Sequence, residues 1–319
     1  MSLPLPRPAA DARADTPLRT TALHDGPLVS IADWSCRGQD TGAGAEERAS
    51  GHQLIIARSG VFATRRGPGA GEALVVGPAQ ALFQNAGDPY RVSHPVPGGD
   101  RCTVLRFSAP ALAEALAGFE PASRDRPDAP FRIGHAPIGL SVLLRLHRLR
   151  QRLRRGEASP LEAEEEAFEV LRGAAGDAYR ARGTWSDARL PPPGTLAHRR
   201  RLVEATRLRV ASRPGDAHSL TRLAREAGSS PFHLARIFRQ ETGLPIHRYL
   251  TRVRLALALA RLEQGESNLS ALALDLGFSS HGHFTAVFRS AFGAPPSRLR
   301  PGPRTHALWR SPRTKLEVR

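Results

Sequence analysis

The chain has 319 residues, 40% of them hydrophobic, which is enough for two packed domains. No apolar run approaches the ~18 residues that span a membrane, and the first twenty residues lack the apolar core and small-residue cleavage site of a signal peptide. A soluble, cytoplasmic protein with no membrane partner is expected. The formal net charge of +16 points to a polyanionic partner, and two distant cysteines, Cys36 and Cys102, offer neither a disulfide framework nor a zinc site.

Residues 1–20 are rich in Pro, Ala and Arg without periodicity and read as a disordered lead. Residues 21–182 form the first domain. Short apolar runs separated by Gly and Pro predict strands at 28–34, 52–60, 61–65, 73–77, 80–85, 90–95 and 101–108, a pattern of small barrels and sandwiches. The run from Gly67 to Gly71 mimics a phosphate loop, but no helix follows it, so it is expected to be a hairpin turn. A short helix is predicted over 110–119, a loop over 120–137, and two longer helices over 139–155 and 160–182. The first long helix carries a leucine stripe (Leu140, Leu143, Leu144, Leu146, Leu149, Leu153), which suits either a cover for the barrel or a dimer interface. The second opens with Glu162, Glu164, Glu165 and Glu166, favourable at a helix N-terminus. Residues 183–197, with three consecutive prolines, read as a linker; 198–300 form the second domain, and 301–319 a basic tail.

The second domain contains one pattern twice. Leu220, Leu223, Ala224 and Gly228 recur as Leu269, Leu272, Ala273 and Gly277, and Ser230, Leu234, Ile237, Phe238, Arg239 and Gly243 recur as Ser280, Phe284, Val287, Phe288, Arg289 and Gly293. In each copy an apolar face at helical spacing ends at a glycine, and a serine then caps a second helix. A helix, a tight turn and a helix make the helix-turn-helix motif, whose second helix enters the DNA major groove. The joining run from Pro245 to Gln264 is one helix of roughly 30 Å. Successive major-groove faces lie about 34 Å apart, so one chain suits two adjacent grooves. Charge agrees: residues 191–319 hold 22 basic against 8 acidic residues, and residues 1–190 hold 24 against 22.

From His198 to Arg300 these motifs, with the Gly-Phe-Ser-Ser turn and the closing G-x-x-P-x-x-x-R, closely resemble the DNA-binding domain of AraC/XylS-type bacterial regulators. Less specifically, the segment GPAQALFQNAGDPYRVSHP resembles the cupin-like sensor domain found ahead of it in many such regulators. The expected fold is therefore α+β: a cupin-like barrel with a helical pair, then an all-α domain with two helix-turn-helix motifs. Catalytic cupins hold a metal through an H-x-H pair, a Glu and a later His; His52 and His94 stand alone here, so no metal and no cofactor are expected. The resemblance implies a homodimer, with the leucine-rich helix pair favoured as its interface, an unknown small-molecule effector, and activation by recruiting RNA polymerase.

On the first reading helix, Ser230–Glu241, Leu234, Ile237 and Phe238 face inward, and Phe232, His233, Ala235, Arg236 and Arg239 face out behind the cap Ser230. Arg236 suits a bidentate contact with a guanine edge or, alternatively, a phosphate. Phe232 suits a thymine methyl, and Ala235 leaves room for close approach. The second reading helix, His281–Phe292, exposes His281, Gly282, Thr285, Ala286 and Arg289. With few long polar side chains, it suits phosphate contacts and shape reading. His281 and His283 look like a metal pair but lack a Cys or acidic partner nearby. No phosphate-loop, H-E-x-x-H or G-x-S-x-G motif is present, so the chain is read as a regulator and not an enzyme. The alternatives are a cupin-type small-molecule enzyme, and a DNA-binding regulator whose first domain only dimerises.

Overall fold

The computed structural model describes residues 18–38, 44–66, 73–183 and 193–300. Most of the lead, the Gly67–Gly71 turn, most of the linker and the basic tail therefore lie outside the described residues. The first half contains two antiparallel sheets. One runs in the order β1 (Arg19–Asp25), β2 (Val29–Cys36), β9 (Asp100–Phe107), β4 (His52–Gly60), β7 (Gln80–Gln84) and β10 (His135–Pro137). The other has β3 (Glu47–Arg48), β8 (Pro89–Ser93), β5 (Phe62–Arg66) and β6 (Leu74–Val76). All seven strands expected from the sequence are present, with ends shifted by a residue or two. β1, β3 and β10 were not expected, and β1 begins at Arg19, inside the segment read as a lead.

Two-residue alternation gives the larger sheet two different apolar faces. Ile55, Ala57, Leu82, Cys102 and Val104 point toward Phe62 and Val76 of the second sheet. Ile31, Leu54, Ile56, Leu105 and Phe107 point the other way, into the largest core, where they meet α1 (Ala109–Leu116), α2 (Leu140–Arg155) and α3 (Pro160–Gly183). Each fully buried Leu, Ile or Phe there contributes about 1.5–3 kcal/mol.

The second half contains α4 (Pro193–Ser212), α5 (Leu220–Ala227), α6 (Pro231–Thr242), α7 (Ile246–Glu263), α8 (Leu269–Asp275) and α9 (His281–Phe292), closed by a short 3₁₀ turn at Pro296–Leu299. The first helix starts at Pro193, five residues ahead of the expected His198, inside the stretch read as linker.

The two halves do not keep separate cores. The α4–α6 region has its own: Leu202, Val203, Leu223, Leu234, Ile237 and Phe238, with Tyr249 and Val253 of α7. The α7–α9 region shares the large core of the first half, where Leu259, Leu262, Leu272, Phe284, Phe288 and Phe292 join Leu143, Leu146 and Leu149 of α2. The leucine stripe is thus consumed inside the chain: Leu143, Leu146 and Leu149 are buried, and Leu140, Leu144 and Leu153 are half-buried against the same core. Of the two roles the sequence left open for the stripe, cover for the barrel or dimer interface, its burial fits the first: it joins the sheet to the α7–α9 region.

Polar contacts reinforce the join. Gln80 Nε2 donates to Tyr249 Oη at 3.2 Å, Glu204 accepts from the Val75 amide at 2.7 Å, and Arg252 donates to the Ile138 carbonyl at 3.3 Å. At the centre, Arg150 on α2 is 1% exposed and donates to Asp33 of β2 at 2.6 and 2.9 Å and to both carboxylate oxygens of Glu263 on α7. Arg154 and Arg58 complete this ion cluster, at 2.7 and 3.4 Å from Asp33.

Candidate nucleic-acid interface

Local chemistry builds α6 and α9. Ser219 opens α5 by accepting the Arg222 amide, and Gly228, at φ +70°, ends it in the left-handed conformation that residues with a Cβ adopt only with strain. Ser230 then accepts the His233 amide to start α6, with Pro231 at the first position, where its missing N–H leaves no bond unmade. In the second copy, Asn268 caps α8 through the Ala271 amide and Ser280 caps α9 through the His283 amide.

On α6, Leu234, Ile237 and Phe238 are fully buried, while Ser230, Phe232, Arg236 and Arg239 are exposed and His233 and Ala235 half-buried. Phe232 is 80% exposed, a large apolar ring left in solvent on the outward face. Among the described residues, Arg236 approaches His233 Nδ1 at 3.4 Å. On α9, Phe284 and Phe288 are buried, and His281, Gly282, Ala286 and Arg289 are exposed beside a half-buried Thr285. His281, Gly282, Thr285, Ala286 and Arg289 line one open concave surface. All the residues expected on each reading helix therefore gather on that helix's outer face.

Charge on this face is available to a ligand. Arg209, Arg222 and Arg261 are each held by a carboxylate at 2.8–3.1 Å. Among the described residues, Arg236, Arg239 and Arg289 have no such ion pair. His283 is engaged within the fold: its Nδ1 lies 2.9 Å from Ser279 Oγ, and its ring meets Phe278 edge-on at 5.7 Å.

Sequence reasoning missed the residue that ties the two motifs together. Arg254, in the middle of α7, donates to the carbonyls of Pro214 (2.8 Å), Asp216 (3.3 Å) and Gly277 (2.9 Å), and its guanidinium lies over the Phe278 ring. It thereby fastens the turn before α5 to the turn before α9. Nearby, Gly215 sits so close to the Asp275 carbonyl that a Cβ would lie 2.2 Å from that oxygen. The signal was weak because an arginine on an amphipathic helix ordinarily points to solvent.

Comparison with known proteins agrees with this geometry. A family model described as a helix-turn-helix domain matches residues 223–301. Over 89 residues the chain is 33% identical to a probable transcription factor, PqrA, of Proteus vulgaris, a span covering 27% of this chain and 73% of that protein. The chain belongs to the AraC-type family of helix-turn-helix transcription regulators. It is also 42% identical over 67 residues to the transcriptional activator RhaS of Pectobacterium carotovorum, which is 21% of this chain and 24% of RhaS. An uncharacterized HTH-type regulator of Haemophilus influenzae is 34% identical over 91 residues, 28% of this chain and 30% of that protein. These two matches span under a third of the relatives' own length. The relatives named are transcription regulators. Among the described residues no helix is long and apolar enough to cross a membrane.

Proposed function

We propose that this protein is a sequence-specific, double-stranded DNA-binding transcription regulator that reads two adjacent major-groove faces with α6 and α9. The observation that carries the reading is the pair of outward faces. Each follows a serine-capped turn and each carries arginine without a carboxylate partner among the described residues, and Arg254 of the joining rod binds the turns before α5 and α9. In this reading Arg236 contacts a base edge, while α9, with Arg289 as its one long cation, contributes phosphate contacts and shape reading.

The remaining parts of the proposal follow from family membership. The protein is an effector-responsive activator, works as a homodimer, recruits RNA polymerase and acts in the cytoplasm where its DNA lies. The first half is the sensor, with a cupin-like arrangement of its two sheets; the expected divisions 21–182, 183–197 and 198–300 widen to take in β1 from Arg19 and α4 from Pro193. Continuity of the large core from the sheet through α2 to α9 favours a first half that influences DNA binding over one that only dimerises. The dimer contact uses a surface other than the buried leucine stripe.

Fluorescence anisotropy with labelled duplexes tests the reading. Binding that falls steeply with salt, together with preference for one sequence over scrambled competitors, is expected. Absence of salt-sensitive DNA binding at any sequence contradicts it.

A further inference from the structure

Away from the DNA-facing helices, three ligand-capable side chains from separate strands meet at the end of the space between the two sheets. Cys36 ends β2, His94 directly follows β8, and Asp100 opens β9. Strand register brings them together: Cys36 pairs with Asp100 and Trp34 with Cys102. Alternation therefore sends Cys36, Asp100 and Cys102 to one face of the sheet. The sulfur of Cys36, a ring nitrogen of His94 and a carboxylate oxygen of Asp100 all lie within 4.8 Å of one another. His94 Nε2 is 2.8 Å from Asp100 Oδ1, and Cys102 Sγ is 3.1 Å from Asp100 Oδ2.

The cluster is sheltered and positioned. His94 is 7% exposed and Cys102 3%, while Cys36 is half-buried. Gly38 presses on the imidazole so closely that a Cβ would lie 2.1 Å from Nδ1, which holds the ring against Asp100. Gly99, at φ +66°, does the same for the Cys36 backbone: a Cβ there would fall 1.9 Å from the Cys36 carbonyl.

We propose that Cys36, His94 and Asp100 form a binding site for one zinc-class divalent ion, with water or the Cys102 thiolate as fourth ligand. A thiolate, an imidazole and a carboxylate are the donors a borderline-soft, tetrahedral ion takes, at about 2.3, 2.0 and 2.1 Å respectively. Those bond lengths put tetrahedral donors roughly 3.3–3.8 Å apart, so atoms already within 4.8 Å converge by side-chain rotation alone. Charge also balances. Ionised Cys36 and Asp100 neutralise a divalent ion, and the Arg58 guanidinium, donating to the Cys102 carbonyl at 3.2 Å, offsets the extra charge if Cys102 ionises as well. On binding, the Cys36 thiol and the His94 ring, which its contact with Asp100 keeps charged, each release a proton to solvent, so that sulfur coordinates as thiolate and the imidazole as the neutral ring. The expected absence of a zinc site rested on sequence spacing; here the donors come from three strands and no local spacing records them. The site does not depend on the DNA-binding reading.

The test uses the purified full chain, kept reduced and stripped with a chelator, titrated with Co(II). Saturation at one equivalent is expected, with visible bands of a tetrahedral ion and a near-ultraviolet sulfur-to-cobalt charge-transfer band, all bleached by one equivalent of Zn(II). In competition with a chromophoric chelator, Cys36→Ser and His94→Gln each weaken Zn(II) binding by about 100-fold or more, beyond what loss of an outer hydrogen-bond partner costs. A wild-type cobalt spectrum without the charge-transfer band overturns the proposal, and needs no variant to fold. Zn(II) affinity unchanged in Cys36→Ser and His94→Gln but lost in His281→Ala or His283→Ala also overturns it, by placing the ion on α9.

Discussion

Replacing Arg150 with methionine removes the cation at the centre of the join while nearly keeping the side chain's length. Burial alone would raise the Asp33 carboxyl, but its hydrogen bond and charge contact with Arg150, helped by Arg58 and Arg154, hold it at about 2 against an ordinary 3.8. One pKa unit corresponds to about 1.4 kcal/mol, so returning Asp33 to its ordinary value costs roughly 2.5 kcal/mol at neutral pH. Glu263 loses its Arg150 bonds as well, adding about 1–2 kcal/mol. The sum, about 3–5 kcal/mol, is the range for breaking a buried ion pair from one side. Arg154 and Arg58 stay at 2.7 and 3.4 Å from Asp33, so the lower end is expected. Urea unfolding, with exposed Arg155→Met as a control expected to cost under about 0.5 kcal/mol, measures the difference. A loss below about 1 kcal/mol for Arg150→Met would refute the reasoning.

The same cluster sets an acid limb. The folded-state pKa of Asp33 is depressed, so its contribution is fully present above about pH 4 and disappears as pH falls toward 2. Melting temperature followed from pH 6 down to pH 2 should fall through this window, and the Arg150→Met variant should lose the part of that fall due to Asp33. Arg254→Met strips the fastening from three carbonyls and should cost about 2–3 kcal/mol in denaturant. It should also weaken protection of both DNA elements in a footprint, whereas weakening of one element alone would show that the motifs are held independently. Ser280→Ala removes the α9 cap and should cost about 1 kcal/mol; no change in urea midpoint would mean that packing of Phe284 and Phe288 fixes the helix without it. Arg236→Ala should lose discrimination at one or two base pairs, worth about 1–3 kcal/mol, and Arg289→Ala should weaken all sequences alike. Equal weakening by Arg236→Ala across a panel of single-base variants would reassign that residue to a phosphate.

The two helix pairs, α5–α6 and α8–α9, were legible because their signals are local. Ser219, Ser230, Asn268 and Ser280 cap the helices they precede, and Gly228, Gly243 and Gly293 close theirs in the left-handed conformation. Inward and outward faces of α6 and α9 followed from a period of 3.6 residues. β1 was not legible because Arg19–Asp25 is polar and half-exposed along its length, held at the sheet edge by pairing with β2. β10 has three residues, too few for a pattern. The roles of Leu143, Leu146 and Leu149 were left open because a leucine stripe specifies burial but not the partner. The partner is chosen by long-range topology, which also joins Asp33, Arg150 and Glu263 from three elements, and Cys36, His94 and Asp100 from three strands.

The most direct measurement of the central claim is selection of full-length protein on a random duplex library at moderate salt, followed by sequencing. One motif is expected, with two elements about one helical turn apart, the α6 element sharper than the α9 element, and the sharper positions lost in Arg236→Ala. Enrichment of no sequence, with retention that simply falls as salt rises, would contradict it.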